Sequence, residues 1–115
     1  MIEISLERGR LEDKVQKIIH VKGSLVYTTH EMDFQKFCLD FIERNKENVV
    51  LYLDISSSAS SPLITSLLRI HKKCNSYGIS FDIVCPKERN NIYDALDTCG
   101  ITQIMHVRKQ NYQIL

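Results

Sequence analysis

Residues 49–53, Val-Val-Leu-Tyr-Leu, form an unbroken apolar run that is rich in β-branched and aromatic side chains and is closed by Asp54. A strand with one solvated face shows alternating apolar and polar residues, and this run shows none. Such a strand has to be buried on both faces, which places it inside a sheet that other elements cover. We therefore expect a central strand here and an α/β architecture around it.

Serine dominates the segment after this strand, where five of the six residues at positions 56–61 are serine and Pro62 follows directly. Proline is favoured at the first helical position and Ser61 is a suitable capping residue, so a helix is predicted to begin at Pro62. Its predicted buried stripe contains Leu63, Ile64, Leu67, Leu68, Ile70 and Cys74. Its predicted outward residues are Thr65, Ser66, Arg69, Lys72 and Lys73. Loops between a buried strand and a helix are common binding sites in α/β sheets.

The rest of the chain alternates between strand and helix signals. Strands are predicted over residues 2–7, 15–22, 79–85 and 101–107, and helices from Thr28 and over residues 92–99. Gly78 and Gly100 stand where left-handed helix caps are expected. The order strand, helix, strand, helix, strand after residue 48 favours parallel pairing, with antiparallel strands added by the N-terminal segments. The prediction is a single α/β domain, residues 1–115, with a mixed sheet of four to five strands and helices packed against it.

Composition argues against several classes of partner. The formal net charge is +1 and neither sign forms a long block, so nothing indicates nucleic acid. The apolar runs are far shorter than the roughly 20 residues that span a bilayer, so no membrane insertion is expected. We expect a soluble, cytoplasmic protein whose cysteines are buried and reduced: Cys38, Cys74, Cys85 and Cys99.

Sites for cofactors and metals are not predicted. The four glycines are too far apart to form a dinucleotide turn or a phosphate loop, and the four histidines are scattered. Asp54 close to several serines would suit a small hydrolase, but no histidine near them in the chain could act as the base. No catalytic residue is assigned. An enzyme that uses Asp54 and the loop serines is less favoured than the two binding hypotheses given at the end of this section.

The ordered features together resemble the STAS domain of bacterial anti-sigma-factor antagonists. They are the strand at 49–54, the serine pair before a helix, the segment at 67–74, Gly78, and Leu-Asp-Thr-Cys-Gly-Ile at 96–101. Gly23 fits the family's glycine before the first long helix, and Ser60 precedes Gly78 by eighteen positions, as the family's serine does. The resemblance covers nearly the whole chain and implies a STAS-like fold.

The resemblance also implies a phosphorylated serine. In the family, an anti-sigma factor that is an ATP-dependent serine kinase modifies a serine or threonine at this helix start, and only the unmodified antagonist binds the kinase and frees the sigma factor. By position this residue is Ser60, with Ser61 beside it. The family usually has Asp-Ser-Ser/Thr-Gly-Leu here, whereas this chain has Ala59 and Pro62 in place of the Asp and Gly. The alternative is that these serines only cap the helix.

The leading functional hypothesis is a non-enzymatic signalling module that regulates transcription by binding an anti-sigma-factor kinase. Its predicted partner-binding residues are Ser58, Ser60, Ser61, Thr65, Ser66 and Arg69, with phosphorylation at Ser60 or Ser61. The runner-up is a STAS-like structural subunit that takes no phosphate and belongs to a signalling or lipid-transport assembly. Neither hypothesis requires a cofactor.

Overall fold

The computed structural model describes residues 2–23, 28–55, 61–88 and 90–115. Its elements in chain order are β1 (Ile2–Leu11), β2 (Lys14–Gly23), α1 (Thr28–Asn45), β3 (Val49–Ile55), α2 (Ser61–Ser76), β4 (Phe81–Cys85), α3 (Asn90–Thr98), a 3₁₀ helix (Ile101–Gln103), β5 (His106–Lys109) and β6 (Gln113–Ile114). The strands form one sheet in the order β5-β4-β3-β2-β1-β6.

The sheet is mixed, as predicted. Strands β2 to β5 pair in parallel, whereas β1 is antiparallel to both β2 and β6. Every residue of β3 except Asp54 is buried, which confirms its interior position. The sheet has six strands where four to five were predicted. The additional one is β6, a two-residue edge strand that is too short to show the alternation of apolar and polar residues by which a strand is recognised.

The two faces of the sheet bury different sets of residues. Alternate residues of β3 face the helices, so Leu51 and Leu53 belong to the large core that α1, α2 and α3 cover. Val50 and Tyr52 point to the opposite face, which we call the back face. A smaller core lies there, made of Leu11, Ile18, Val50, Tyr52 and Val84, and Tyr112 of the C-terminal segment packs against it.

Helix α2 has the boundaries that its capping residues predict, to within one position. It begins at Ser61, and Gly78 follows its last turn with a φ of 67°. The N–H of Gly78 donates to the carbonyl of Asn75 at 3.1 Å, and the N–H of Ile79 donates to that of Cys74 at 3.0 Å. This pair of bonds is a Schellman cap. Because Ile79 completes the cap, β4 begins two residues later than predicted.

The predicted strand over residues 101–107 is wrong in its first half. After Gly100, whose φ is 80°, the chain turns through the 3₁₀ helix, and β5 starts only at His106. Ile101 and Met105 are both buried, and the N–H of Met105 donates to the carbonyl of Ile101 at 2.9 Å. The helical turn brings the two side chains close together in the core, whereas an extended strand would also place them on one face but about 13 Å apart.

The prediction for the cysteines holds for three of the four thiols. Cys38, Cys74 and Cys85 are buried in the core, whereas Cys99 is exposed near the end of α3. Burial raises the pKa of Cys74 to about 11 and that of Cys85 to about 12. All four cysteines are free in the structure.

Candidate functional site

The serine segment leads into the start of α2. Ser58 and Ser60 lie in residues 56–60, outside the described residues. Ser61 is the first residue of α2 and is exposed, and Thr65 and Arg69 are exposed one and two turns further on. Three of the predicted partner-binding residues therefore lie along one side of the helix.

Ser66 was expected on this exposed side, and that prediction is wrong. Only 3% of the residue is exposed, because it faces α1. Its hydroxyl donates to the amide oxygen of Gln35 at 3.1 Å, which provides the buried group with a partner. Ser66 thus contributes to the contact between the two helices, away from the surface that a partner could reach.

Leu68 was expected in the buried stripe, and it is 41% exposed. A helix turns about 100° per residue, so Ser66 lies about 60° from Leu63 whereas Leu68 lies about 140° from it. Helical periodicity therefore predicts that Ser66 is buried and Leu68 exposed, whereas the apolar character of Leu68 alone predicts the opposite. We call the exposed side of the helix the α2 face, made of Ser61, Thr65, Leu68, Arg69 and Lys72.

The α2 face is cationic. No residue of α2 is acidic, and its cations are Arg69, Lys72 and Lys73. Lys73 turns toward α1, where its ammonium lies 2.8 Å from the carboxylate of Glu43. In the part of the chain that the structure describes, neither Arg69 nor Lys72 has a carboxylate within ion-pair distance. An exposed leucine beside two exposed cations suits a partner surface that combines an apolar contact with acidic groups.

Lys73 sets the charge state of Glu43. Its ammonium, and next the hydroxyl of Tyr77 at 2.7 Å, donate to the carboxylate and hold the pKa of Glu43 below its ordinary value. This cluster links α2 to α1 beside the α2 face. It holds one of the three cations of the helix in a fixed intramolecular contact.

A second polar cluster, which the sequence did not indicate, lies on the back face of the sheet. The hydroxyl of Tyr112 is 2.6 Å from Nδ1 of His20 and donates to Oε2 of Glu7 at 3.0 Å. A carboxylate only accepts, so the single phenolic proton goes to Glu7 and the phenolic oxygen accepts from Nδ1–H of His20. This bond joins Glu7 to Tyr112, which are 105 positions apart in the sequence. No local sequence pattern reveals a contact over such a separation.

The same cluster brings a histidine to Asp54. Nε2 of His20 lies 3.6 Å from Oδ2 of Asp54, which is beyond hydrogen-bonding distance, so an ion pair forms there only when the imidazole is protonated. Burial, and then the hydrogen bond to Glu7, raise the pKa of Tyr112, so its phenol stays neutral at ordinary pH. The hydroxyl bridges His20 on β2 and Glu7 on β1. The arrangement therefore favours a structural contact between the C-terminal segment and the sheet.

Neither a cluster of metal ligands nor a membrane-spanning helix is found among the described residues. Within ranges 2–23, 28–55, 61–88 and 90–115, no three His, Cys, Asp or Glu side chains are close enough together to bind a metal ion. None of the helices in those ranges combines the length and the apolar character that crossing a membrane requires.

Comparison with known proteins adds a structural relative. No family model and no curated protein sequence match the chain. The crystal structure of a putative anti-sigma factor antagonist from Thermotoga maritima is similar, with a TM-score of 0.62 and 14% sequence identity. The match covers 91% of this chain and 86% of that one. This likeness confirms the fold that the sequence resemblance implies: the chain has the STAS-like fold of that antagonist.

Proposed function

We propose that the protein is a regulatory module that binds an anti-sigma-factor kinase through the α2 face and releases it when Ser60 or Ser61 is phosphorylated. The fold is that of a putative antagonist. The observation that carries the proposal is an exposed, acid-free helix face that begins with an exposed serine. No step of the proposal requires this chain to catalyse a reaction.

The α2 face suggests the chemistry of the kinase surface. Leu68 supplies an apolar contact, and Arg69 and Lys72 beside it favour carboxylates on the kinase. The affinity would depend mostly on Leu68, because buried apolar contacts dominate interfaces whereas exposed charge pairs contribute little. The two cations would mainly steer association, so the association rate should fall as the salt concentration rises.

The same charges explain how a phosphate would act as a switch. Phosphorylation of Ser61 adds about −1.5 to −2 charges at the start of α2, where free backbone amides and the helix dipole tolerate an anion. The domain can therefore keep its fold after modification. An acidic kinase surface that binds the cationic α2 face would, by contrast, be repelled by the added phosphate. The kinase would then dissociate from its own product.

The direct experiment uses a recombinant anti-sigma-factor serine kinase from the same genome, ATP and mass spectrometry. One phosphate on the peptide that contains positions 60 and 61 is expected, and Ser60→Ala and Ser61→Ala identify the acceptor. A phosphate elsewhere, or none on the wild type, would contradict the switch.

The docking surface is tested by pull-down with the same kinase. Leu68→Lys is expected to abolish capture, whereas Ile104→Lys, at an exposed isoleucine beyond the 3₁₀ helix, is the matched control and should bind normally. Equal loss in both variants would argue against the α2 face.

A second candidate follows from Pro62, which stands where the family has a flexible glycine. Proline fixes φ and removes an N–H, so it stiffens the position directly after Ser61. A structural subunit that uses the α2 face for permanent docking and takes no phosphate would need no flexibility there. Capture of the kinase with no phosphate transfer, together with recovery of a transport or scaffold component from cells, would favour this candidate.

A further inference from the structure

Strand β1 is much longer than the strand on its outer side. Its inner edge pairs with β2 from Ile2 to Leu11, whereas its outer edge pairs with β6 only at Gly9 and Arg10. Within the residues that the structure describes, no strand lies beside the outer edge of residues 2–7. An uncovered edge presents free N–H and C=O groups and readily accepts another strand.

The direction of the backbone groups on this edge follows from one bond. The carbonyl of Arg8 points outward, because it accepts the N–H of Leu115 at 2.9 Å. Backbone groups alternate in direction along a strand, so those of Leu6 and Ile4 also point outward. The edge can therefore form a regular antiparallel ladder with a further strand.

An apolar groove runs beside the same edge. Leu6 is 47% exposed on the face of β1 that turns toward the helices, where it borders a cleft of about 290 Å³. The other walls of the cleft come from α1 and are Phe37, Asp40, Phe41, Arg44 and Asn45. The charged residues of the segment, Glu3 and Glu7, lie on its other face, so the face toward the helices exposes Leu6 beside Phe37 and Phe41.

We propose that this edge is the interface of a two-fold homodimer, in which β1 pairs antiparallel with β1 of a second copy and Ile4 lies on the axis. This register aligns outward-facing residues with each other and extends the sheet across both copies. It also sets Glu3 of each copy opposite Ser5 of the other, so a carboxylate meets a hydroxyl twice. A shift of the axis to Ser5 would oppose Glu3 and Glu7, two like charges, which is unfavourable.

The pattern of this segment is self-complementary, as pairing with a second copy requires. Glu3 and Ser5 alternate with Ile4 and Leu6, so the polar residues of two antiparallel copies share one face and the apolar residues share the other. A two-fold axis needs only such a self-complementary patch, and it closes the assembly at two copies. The proposal is independent of the α2 face, which β1 does not contribute to.

Analytical ultracentrifugation over a concentration series measures the dimer. The wild type is expected to convert from monomer to dimer as concentration rises, and Leu6→Lys to raise the dissociation constant about tenfold or more. Val15→Lys is the matched control, because Val15 is 44% exposed and lies on β2 near the hairpin, beyond the open edge. It should leave the dissociation constant unchanged. Circular dichroism checks that both variants are folded.

Ser5→Lys tests the register. With Ile4 on the axis, each new ammonium faces Glu3 of the other copy, so the dimer should tighten several-fold and the gain should disappear at high salt. With Ser5 on the axis, the two new ammonium groups would face each other and weaken the dimer. A wild type that is monomeric at every concentration, equal effects of Leu6→Lys and Val15→Lys, or a weaker Ser5→Lys dimer would each overturn the proposal.

Discussion

Tyr112 lies directly against Gly9, in the space that a side chain at position 9 would occupy. A Cβ built on Gly9 would lie 2.5 Å from Cδ2 of Tyr112 and 2.9 Å from Cδ1 of Ile18. Ile18 belongs to the core of the back face, so neither neighbour can move freely. The glycine lets the C-terminal segment cross β1 closely enough for its tyrosine to reach His20 and Glu7.

Gly9→Ala is therefore expected to destabilise the protein by about 1–3 kcal/mol, the usual range for overpacking. In a strand that has room, the same change is stabilising by about 0.5–1 kcal/mol, because glycine loses more backbone entropy on folding. In a Tyr112→Ala background the sign should accordingly reverse. Urea unfolding of the four proteins in this cycle measures both effects. A penalty that persists without Tyr112 would mean that the contact with Ile18 dominates.

Tyr112→Phe tests the hydroxyl alone. The variant keeps the ring on the back-face core but removes the group that joins His20 to Glu7. We expect a loss of about 1–2 kcal/mol in the free energy of unfolding, because two part-buried polar groups lose their shared partner. Tyr93→Phe is the control, since the hydroxyl of Tyr93 has no hydrogen-bond partner in the described part of the chain. Equal stability of the two variants would contradict a structural role for the hydroxyl.

The cysteines provide a test of burial. The thiolate is the reactive form, and burial raises the pKa of Cys74 to about 11 and of Cys85 to about 12, and raises that of Cys38 further. In the native protein, only the exposed Cys99 should react promptly with a thiol reagent at pH 8. One reactive thiol is expected in the native protein and four in the unfolded protein. Cys99→Ser should show no reactive thiol in the native state and three after unfolding. A second thiol that reacts in the native state would reveal local opening of the core.

Acid should weaken the contact between α1 and α2. The pKa of Glu43 is lower in the folded protein than in the unfolded chain, because Lys73 and Tyr77 donate to its carboxylate. A lowered carboxyl pKa contributes stability above the unfolded value, near 4.5, and this stability is lost as the pH falls through the folded value. Glu43→Gln should therefore reduce the difference in unfolding free energy between pH 7 and pH 3. An unchanged pH profile would show that solvent screens this exposed cluster completely.

The helix-covered half of the fold was predictable because local patterns determine it. The apolar run of β3 and the cap at Gly78 are short-range signals, and the structure confirms both. The back face was not predictable, because it depends on contacts such as the one between Glu7 and Tyr112, and the last eight residues have no period of their own. The same reason explains the missed strand β6, which exists only because β1 offers an edge for it.

On α2, the sequence pattern assigns two residues to the wrong sides of the helix. A pattern of apolar and polar letters places Leu68 inside and Ser66 outside, whereas helix geometry relative to Leu63 places them the other way round. The buried hydroxyl is tolerated only because Gln35 on α1 accepts its proton, and that contact depends on how the two helices pack. Helical angles measured from the centre of the stripe would have corrected both assignments.

The two residues should accordingly separate stability from binding. Ser66→Ala removes the hydrogen bond to Gln35 and should lower the free energy of unfolding by about 1 kcal/mol, while kinase capture by the folded variant is unchanged. Leu68→Ser replaces an exposed side chain and should leave stability within about 0.5 kcal/mol, yet weaken capture strongly. Thermal unfolding and pull-down on the same preparations provide both readouts. A Leu68→Ser variant that captures the kinase normally would move the docking surface away from the α2 face, because Leu68 is the exposed leucine at its centre.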